Sequence, residues 1–331
     1  MNTKKIAGTD LAVSEICLGM MSFGDPKWAA WVRDAAFGSL VVKTALDRGI
    51  NFFDTADVYS FGESERILGR AIKAHARRDQ VILATKFGLA KGIDVQGLRK
   101  HHVISAAEDS LRRLDTDYID LYQMHGWDTG VPIEETLEAL TELTRSGKIR
   151  CAGGSNFFAW QLAVADCAAK TRGSARLSTM QVQYNLVYRE EEREMLPYCR
   201  YSGTGVIVFS PLARGYLVGG PGTAAGSSAA LRAETDKKRQ RLYDSGPHGA
   251  VVEAVDAVAA ARGVLRSQVA IAWILSKPEI TSIIVGPTEL DHLTTALDAL
   301  SLELSPEEVA RLERFYAVRA TEVTEISRVP F

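Results

Sequence analysis

The sequence of 331 residues lacks the features that mark several classes of protein. It has no apolar run of about eighteen residues, so no membrane-spanning helix is expected. The lysines near the N-terminus are not followed by the apolar stretch of a secretory signal. A net charge of −2 and a pI near 6.3 indicate no basic surface for nucleic acid or anionic membrane. We therefore expect neither nucleic-acid nor membrane partners.

Cysteine is scarce, with four residues at Cys17, Cys151, Cys167 and Cys199. They form no CxxC pair, and their spacing to histidine is not that of a metal site. Isolated thiols fit a reducing compartment, which predicts a cytoplasmic protein. A metal hydrolase would need a cluster of His and Asp ligands at strand ends, where only His125 is available. The sequence therefore predicts no metal.

A glycine-rich turn of the Rossmann type is also missing after the first apolar strand. The nearest candidate, residues 220–225, lies far along the chain and has Pro221 within the turn. These two facts disfavour a doubly wound sheet that binds a dinucleotide.

Apolar strands instead alternate with amphipathic helices at intervals of roughly thirty residues. Strands are predicted to begin near residues 16, 50, 81, 118, 149, 178, 205 and 281, and all but the interrupted one are followed promptly by a helix. Eight parallel strands close a barrel, so the predicted fold is α/β, a single (β/α)8 TIM barrel over residues 1–331. Residues 4–13 contain a Gly8-Thr9-Asp10 turn and predict an N-terminal β-hairpin that plugs one end.

Three segments depart from this repeat. The loop after the first strand is rich in aromatic residues and is expected to be a lid or a substrate wall. Residues 219–248 follow the seventh strand and predict a long flexible loop, with a charged helical piece at 235–242. Residues 305–319 open with Ser-Pro-Glu-Glu, which is typical of a helix start, and predict an extra C-terminal helix outside the barrel.

Chemically active side chains fall at the ends of three consecutive predicted strands. Asp54 and Tyr59 follow residues 50–53, Lys86 follows 81–85, and His125 follows 118–124. Because ligands bind at the carboxyl ends of parallel strands, we expect these side chains to face one mouth. Each also has a structural explanation when taken singly, such as a helix cap for Asp54 or a buried ring for Tyr59. Their common position favours a catalytic group.

Six motifs that follow one another along the chain identify a family. They are Asp54-Thr55-Ala56-Asp57-Val58-Tyr59, Lys86 after Ala-Thr, His125 after Gln-Met, Gly153-Gly154-Ser155-Asn156, Gln181-Val182-Gln183-Tyr184-Asn185 and Ser210-Pro211-Leu212-Ala213-Arg214-Gly215. Together they resemble the aldo-keto reductases over nearly the whole chain. The runs 19–24 and 188–197 resemble the bacterial aryl-alcohol-dehydrogenase-like branch. The resemblance implies an oxidoreductase that reduces an aldehyde or ketone to the alcohol by hydride transfer from a nicotinamide cofactor.

The four strand-end residues suit this chemistry. Carbonyl reduction needs a proton donor within hydrogen-bond reach of the carbonyl oxygen, and Tyr59 is the expected donor. A free tyrosine has a pKa of about 10, and the ammonium group of Lys86 is expected to lower that pKa. Asp54 would hold Lys86 charged and in place. His125 would offer a second hydrogen bond to the substrate oxygen.

The resemblance also implies which residues hold the cofactor. Ser155, Asn156 and Gln181 would bind the nicotinamide carboxamide, and the Phe209 ring would stack on the nicotinamide. Small residues in the turn at 210–215 would let backbone N–H groups approach the pyrophosphate. The implied cofactor contacts are Gly19, Met20, Ser155, Asn156, Gln181, Phe209, Ser210, Pro211, Leu212, Arg214, Gly215, Arg232, Gly286, Thr288 and His292.

One departure from the family pattern concerns the 2′-phosphate of NADP. The run 286–293 has Glu289 where relatives carry Arg, and His292 where they carry Gln. A carboxylate repels a phosphate, although Arg232 or His292 could compensate. NADP(H) is therefore the expected cofactor, and NAD(H) is the alternative.

The substrate is expected to be a small carbonyl compound. Trp28, Phe87 and Trp127, with Phe23 and Trp31 near them, would form an apolar wall suited to an aromatic aldehyde or ketone. The same catalytic group could also act on a ketosugar or a secondary metabolite. A nicotinamide-binding regulatory subunit of the potassium-channel β type is another alternative, which the lack of a long N-terminal extension disfavours. The sequence leaves the oligomeric state open between monomer and homo-oligomer.

Overall fold

The closed parallel barrel predicted from the strand pattern is confirmed by the computed structural model, which describes residues 1–89, 97–219, 228–244, 246 and 248–321. A hairpin pair precedes the barrel, and the last barrel strand pairs with the first to close it. The strands are β1 (Thr3–Lys5), β2 (Ala12–Ser14), β3 (Ile16–Gly19), β4 (Phe52–Asp54), β5 (Ile82–Phe87), β6 (Ile119–Met124), β7 (Ile149–Ser155), β8 (Leu177–Gln183), β9 (Gly205–Phe209) and β10 (Ile280–Val285).

Burial on both faces explains the apolar character of the barrel strands. All six residues of β5 and the first four of β9 are buried. Parallel strands covered by helices have no solvent face, so they read as continuous apolar runs rather than alternating ones. The β-branched run Val206-Ile207-Val208 in β9 also favours extended backbone.

Helices surround the barrel and cover its outer face. In α2, carboxylates in the first turn and basic residues in the last turn suit the helix dipole, and Leu68 and Ile72 face the core. The helices are α1 (Ala35–Asp47), α2 (Glu63–His75), α3 (Lys100–Leu114), α4 (Ile133–Arg145), α5 (Ala159–Arg172), α6 (Met195–Ser202), α7 (Ser228–Thr235), α8 (Lys237–Arg239), α9 (Gly249–Arg262), α10 (Arg266–Leu275), α11 (Leu290–Asp298) and α12 (Pro306–Glu313).

No single helix in the described ranges is long and apolar enough to cross a membrane. Among the described residues, the pair of α9 and α10 satisfies the length and composition requirement, and these two helices are bent by 100° relative to each other.

Several helix bounds differ from the predicted ones. Helix α1 begins at residue 35 rather than 41, because the Asp34 side chain caps it by accepting a hydrogen bond from the N–H of Phe37. Helix α12 starts after Ser305 as predicted but ends at Glu313, and the following residues are irregular. The charged piece at 235–242 is helical, with a π-helical turn at Gln240–Asp244. The glycine-rich stretch at 220–227 lies outside the described residues.

The N-terminal hairpin closes the end of the barrel opposite the strand carboxyl ends. Ile6, Leu11 and Val13 are almost completely buried and form a small apolar cluster with inward-facing barrel residues such as Phe52 and Ile207. Phe52 is the first residue of β4 and Ile207 the middle residue of β9, so the hairpin packs away from the carboxyl ends of the strands and acts as the predicted plug. The opposite end remains available for a ligand site.

The plug should contribute measurably to stability. Replacing Ile6 with Ala leaves a cavity in the buried cluster and should lower the free energy of unfolding by about 2–4 kcal/mol, measured by denaturant titration. The control is Leu40→Ala, because the Leu40 side chain is 46% exposed. Equal losses from the two substitutions would contradict the plug.

Candidate active site

Four polar side chains converge at the carboxyl ends of β4, β5 and β6. Asp54 is the last residue of β4, Lys86 lies near the end of β5, and His125 directly follows β6. Tyr59 begins a 3₁₀ turn in the loop after β4. The positions predicted from the strand ends therefore come together in space.

A buried ion pair lies at the centre of this group. Lys86 is fully buried, and its Nζ donates to Asp54 Oδ1 at 2.5 Å and to the carbonyl oxygen of Thr55 at 2.7 Å. Asp54 Oδ2 accepts from the amide groups of Gln181 at 2.9 Å and Gln123 at 3.2 Å. Because two desolvated charges are costly unless they are paired and hydrogen-bonded, these amides support the pair. Sequence reasoning did not select Gln123, although a glutamine in an apolar strand is a signal of a satisfied buried site.

Tyr59 lies against both the lysine and the histidine. Lys86 Nζ is 5.2 Å from the centroid of the Tyr59 ring. The His125 ring meets the Tyr59 ring edge-on, with centroids 5.8 Å apart, and the Trp28 ring lies 6.2 Å away on another side. The buried Nδ1 of His125 has no hydrogen-bond partner among the described residues. An unpaired polar atom of this kind suits a site that receives a ligand.

Burial and neighbouring charges set the protonation states. Burial raises the pKa of Tyr59 above its ordinary value, and this effect outweighs the lowering by Lys86 that the sequence led us to expect. Burial lowers the pKa of Lys86, but Asp54 and Tyr59 more than offset it, so the amine stays charged. Burial, then Lys86 and Lys238, hold the pKa of His125 well below its usual range. At neutral pH the site therefore contains a protonated tyrosine, a neutral histidine and an ammonium group.

A cavity of about 930 Å³ opens above these residues. Most of the side chains selected from the sequence line it. They are Asp54, Tyr59 and His125 of the catalytic group, Trp28 of the substrate wall, and the cofactor candidates Gly19, Asn156, Gln181, Phe209, Ser210, Pro211, Leu212, Arg214, Gly215, Arg232, Gly286, Thr288 and His292.

Other selected residues do not line the described part of this cavity. Phe87 stacks on Tyr122 with ring centroids 4.3 Å apart, because neighbouring residues of a strand face opposite sides and Lys86 faces inward. Trp127 packs edge-on against Phe157 at 5.2 Å.

The remaining selected residues support those that line the cavity. Met20 is buried, and its carbonyl oxygen accepts from Ser64. Ser155 is also buried, and its Oγ accepts from Asn156 Nδ2 at 2.8 Å. Phe23 lies in the core, and Trp31 is 6% exposed.

The turn after β9 has unusual backbone geometry. Ser210, Ala213, Arg214 and Gly215 all have positive φ, between 50° and 88°. Left-handed residues give a turn a concave surface that suits an anion, although the backbone N–H groups of Ala213 and Gly215 already donate to the carbonyl oxygens of Ser210 and Leu212. The three residues other than glycine adopt this conformation at a cost, which is typical of a functional turn.

Two arginines share one carboxylate at the cavity. The guanidinium groups of Arg214 and Arg232 lie 2.7 Å and 3.2 Å from the same Oδ2 of Asp236, and Arg232 also stacks on Trp31 at 4.5 Å from the ring centroid. Burial and the charge of Arg214 lower the pKa of Arg232 to about 10. One carboxylate cannot neutralise two guanidinium groups, so this region favours an anion.

The opposite side of the cavity contains both charge signs. Glu289 and Asp291 line it with His292, whose Nδ1 is 3.4 Å from the backbone N of Thr288. Arg266, at the start of α10, also lines the cavity and forms an ion pair with Asp256. The sequence did not point to Asp236 or Arg266. Asp236 lies in a charged stretch that looks like solvated helix surface, and Arg266 is a single charge at a helix start. Within the described residues no group of three or more His, Cys, Asp or Glu side chains could hold a metal ion.

Comparison with known proteins identifies the family. A model described as the aldo/keto reductase family matches residues 15–317, and the chain belongs to that family. Aldo-keto reductase AMT2 of Alternaria alternata is 37% identical, over 95% of this chain and 91% of its own length. Versiconal hemiacetal acetate reductase of Aspergillus parasiticus is 35% identical, over 97% of this chain and 98% of its own length.

A solved structure gives the same result. The thermostable aldo-keto reductase Tm1743, in complex with the inhibitor epalrestat, matches with a TM-score of 0.76 and 28% identity, over 95% of this chain and 99% of that chain. The members of this family are oxidoreductases that reduce carbonyl groups with nicotinamide cofactors. The family and the class of reaction predicted from the motifs are confirmed.

Another carboxyl group with a buried oxygen, that of Asp57, lies in the loop after β4. The Oδ1 atom of Asp57 is buried and has no hydrogen-bond partner in the described ranges. Burial, then the carboxylate of Glu65, raises the pKa of Asp57 to about 7. Glu65 is paired with Arg113, and the charge of Arg113 lowers the pKa of Asp57 by less than burial and Glu65 raise it.

Asp57 should make stability depend on pH. Because its pKa is raised on folding, the folded protein keeps a proton that the unfolded chain has already lost, and the free energy of unfolding falls as pH rises from about 4 to about 7. Asp57→Asn should match the wild type below about pH 4, where the carboxyl is protonated in both states, and exceed its stability by about 4 kcal/mol at pH 8.

Denaturant titrations of both proteins across this pH range measure the difference directly. Subtracting the two curves removes the contributions of other titrating groups. A constant difference between the curves would show that Asp57 is already ionised in the folded protein.

Proposed function

We propose that this protein is a carbonyl reductase that uses NAD(P)H, with Tyr59 as the proton donor to the substrate oxygen. The observation that carries this proposal is the fully buried Lys86, paired with Asp54 at 2.5 Å and lying 5.2 Å from the Tyr59 ring. Tyr59 and His125 line the same cavity, so a carbonyl oxygen can reach both. Membership of the aldo/keto reductase family supports the reaction class.

The residues around the cavity fit a nicotinamide dinucleotide. The Phe209 ring provides a stacking surface for the nicotinamide, and Asn156 and Gln181 provide amide groups beside it. The concave turn at 210–215 and the guanidinium of Arg232 suit the phosphates. Gly19 allows close packing, because a Cβ there would lie 2.6 Å from Ile284 Cγ2. When bound, the reduced nicotinamide would supply a hydride, one hydrogen nucleus with two electrons, to the carbonyl carbon.

The protein supplies the proton. Tyr59 is protonated at neutral pH, so it can donate to the oxygen as negative charge develops there. The Lys86 ammonium then stabilises the phenolate that remains, and Asp54 keeps the ammonium in position. The neutral His125 ring orients the substrate oxygen through a hydrogen bond.

The substrate end of the cavity suits an apolar carbonyl compound. Met21, Trp28, Val58 and Leu89 line the cavity with the catalytic group. Side chains of this kind exclude water and favour an aromatic or aliphatic aldehyde or ketone. A sugar-like ketone needs more polar partners than these four residues offer.

Removing the Tyr59 hydroxyl tests the proton donor. Tyr59→Phe should lower turnover of benzaldehyde with NADPH by about 100-fold or more, because general-acid catalysis is lost, while the Kd for NADPH stays at the wild-type value. The control is Tyr201→Phe, because Tyr201 is 86% exposed. Retained turnover together with lost cofactor binding would overturn the assignment.

Cofactor preference can be measured by quenching of tryptophan fluorescence, since Trp28 lines the cavity. We expect NADPH to bind tighter than NADH by about tenfold, or about 1.4 kcal/mol. Arg232→Gln should weaken NADPH more than NADH if Arg232 contacts the 2′-phosphate, and both equally if it contacts the shared pyrophosphate. The control is the exposed Lys237→Gln on the adjacent helix. Equal or tighter binding of NADH would show that Glu289 and Asp291 set the preference.

A further inference from the structure

Residues 228–244, here called the strap, carry charged groups into the cavity. Arg232 and Lys238 line it, and Asp236 holds both Arg232 and Arg214. The strap comprises short helical pieces, α7, α8 and a π-helical turn, that follow a glycine-rich connection. Such short pieces have little intrinsic stability, so their position depends on tertiary contacts.

The end of the strap is anchored through Tyr243. This side chain is fully buried, and its hydroxyl accepts from Gln183 Nε2 at 2.7 Å and from Asn185 Nδ2 at 3.3 Å. The same Asn185 Nδ2 donates to the carbonyl oxygen of Ser210 at 3.0 Å. The end of the strap and the turn at 210–215 therefore share one hydrogen-bonded support.

Arg319, in the irregular segment after α12, packs against this hydrogen-bonded group. Its Nη2 donates to the carbonyl oxygen of Leu242 at 2.6 Å, and its Nη1 lies 3.4 Å from the carbonyl oxygen of Val187. Its guanidinium is 5.8 Å from the centroids of both the Tyr188 and Tyr243 rings. One side chain thus joins the strap to the loop after β8.

The backbone around Arg319 is also fixed. The backbone N–H of Arg319 donates to Glu190 Oε1 at 2.9 Å, and the Tyr316 hydroxyl donates to the same oxygen at 2.6 Å. The Tyr316 hydroxyl in turn accepts from the backbone N–H of Arg189 at 2.9 Å. The backbone of Arg319 is therefore fixed in place by these hydrogen bonds, and its side chain can contact the strap.

We infer that Arg319 is a positioning residue for the cofactor site. Its side chain does not line the described cavity, but it contacts the end of the strap at Leu242 and Tyr243. By fixing that end, it keeps Arg232 and Asp236 in position at the cavity. Loss of this contact lets the strap move away from the cavity, which weakens cofactor binding without changing the catalytic group at Lys86. The inference rests on the proposed function, because it requires that the cavity bind a nicotinamide dinucleotide.

The test compares Arg319→Gln with the wild type and with Arg314→Gln, a control in the same segment whose side chain is exposed. Titration with NADPH, followed by tryptophan fluorescence, should give a Kd about tenfold higher for Arg319→Gln, and an unchanged Kd for Arg314→Gln. Turnover of benzaldehyde at saturating NADPH should remain at the wild-type level, so the effect appears in KM for the cofactor and not in kcat. Arg319→Lys should restore part of the affinity, because an ammonium can still donate to the Leu242 carbonyl.

An unchanged Kd for Arg319→Gln, or a loss of kcat at saturating cofactor, would overturn the inference. If Arg319→Gln fails to fold, the Kd of Arg319→Lys decides, and a value equal to the wild type overturns it. The proposed function fails separately, when the wild type does not bind NADPH or NADH or when Tyr59→Phe keeps its turnover.

Discussion

The site depends on the buried ion pair between Lys86 and Asp54. Moving two charges out of water costs several kcal/mol per ion, and only close pairing with full hydrogen bonding offsets this cost. The carbonyl of Thr55 and the amides of Gln123 and Gln181 complete that pairing. A charged group that is fixed and desolvated acts more strongly on its neighbours than a solvated one, which is why Tyr59 is placed beside it.

The barrel makes such a pair possible. Neighbouring parallel strands end at the same edge, so β4 and β5 bring Asp54 and Lys86 together, and β8 adds Gln181 from across the barrel. The hairpin plug fills the opposite end with apolar side chains. Stability is concentrated at that end, while the carboxyl end can retain polar groups and positive-φ turns that suit ligands.

The cofactor half of the site is assembled differently from the catalytic half. The proposed catalytic residues lie at or shortly after strand ends, whereas Arg214 and Arg232, which suit an anion, lie on a turn and on the strap. Arg214 and Asp236 are held together by one ion pair, and the strap end depends on the segment after α12. The strand-end residues can stay in place while the turn and the strap, which are held by a few tertiary contacts, move. Such a site can admit and release a large cofactor without displacing the residues around Lys86.

The sequence by itself determined the fold and the strand-end positions of the residues that we propose to be catalytic. The alternation of apolar strands and amphipathic helices predicts eight parallel strands. The placement of Asp54, Lys86 and His125 at strand ends follows from that alternation alone. The contacts of Gln123, Asp236 and Arg319 were decided only by the tertiary structure. The spacing of apolar residues indicates which face of a local element is buried. The hydrogen bond from Arg319 to the carbonyl oxygen of Leu242, 77 residues away, depends instead on how separate elements pack. Charged residues in such contacts look the same in sequence as those in solvent, because charge and spacing do not reveal which carbonyl or carboxylate will lie opposite.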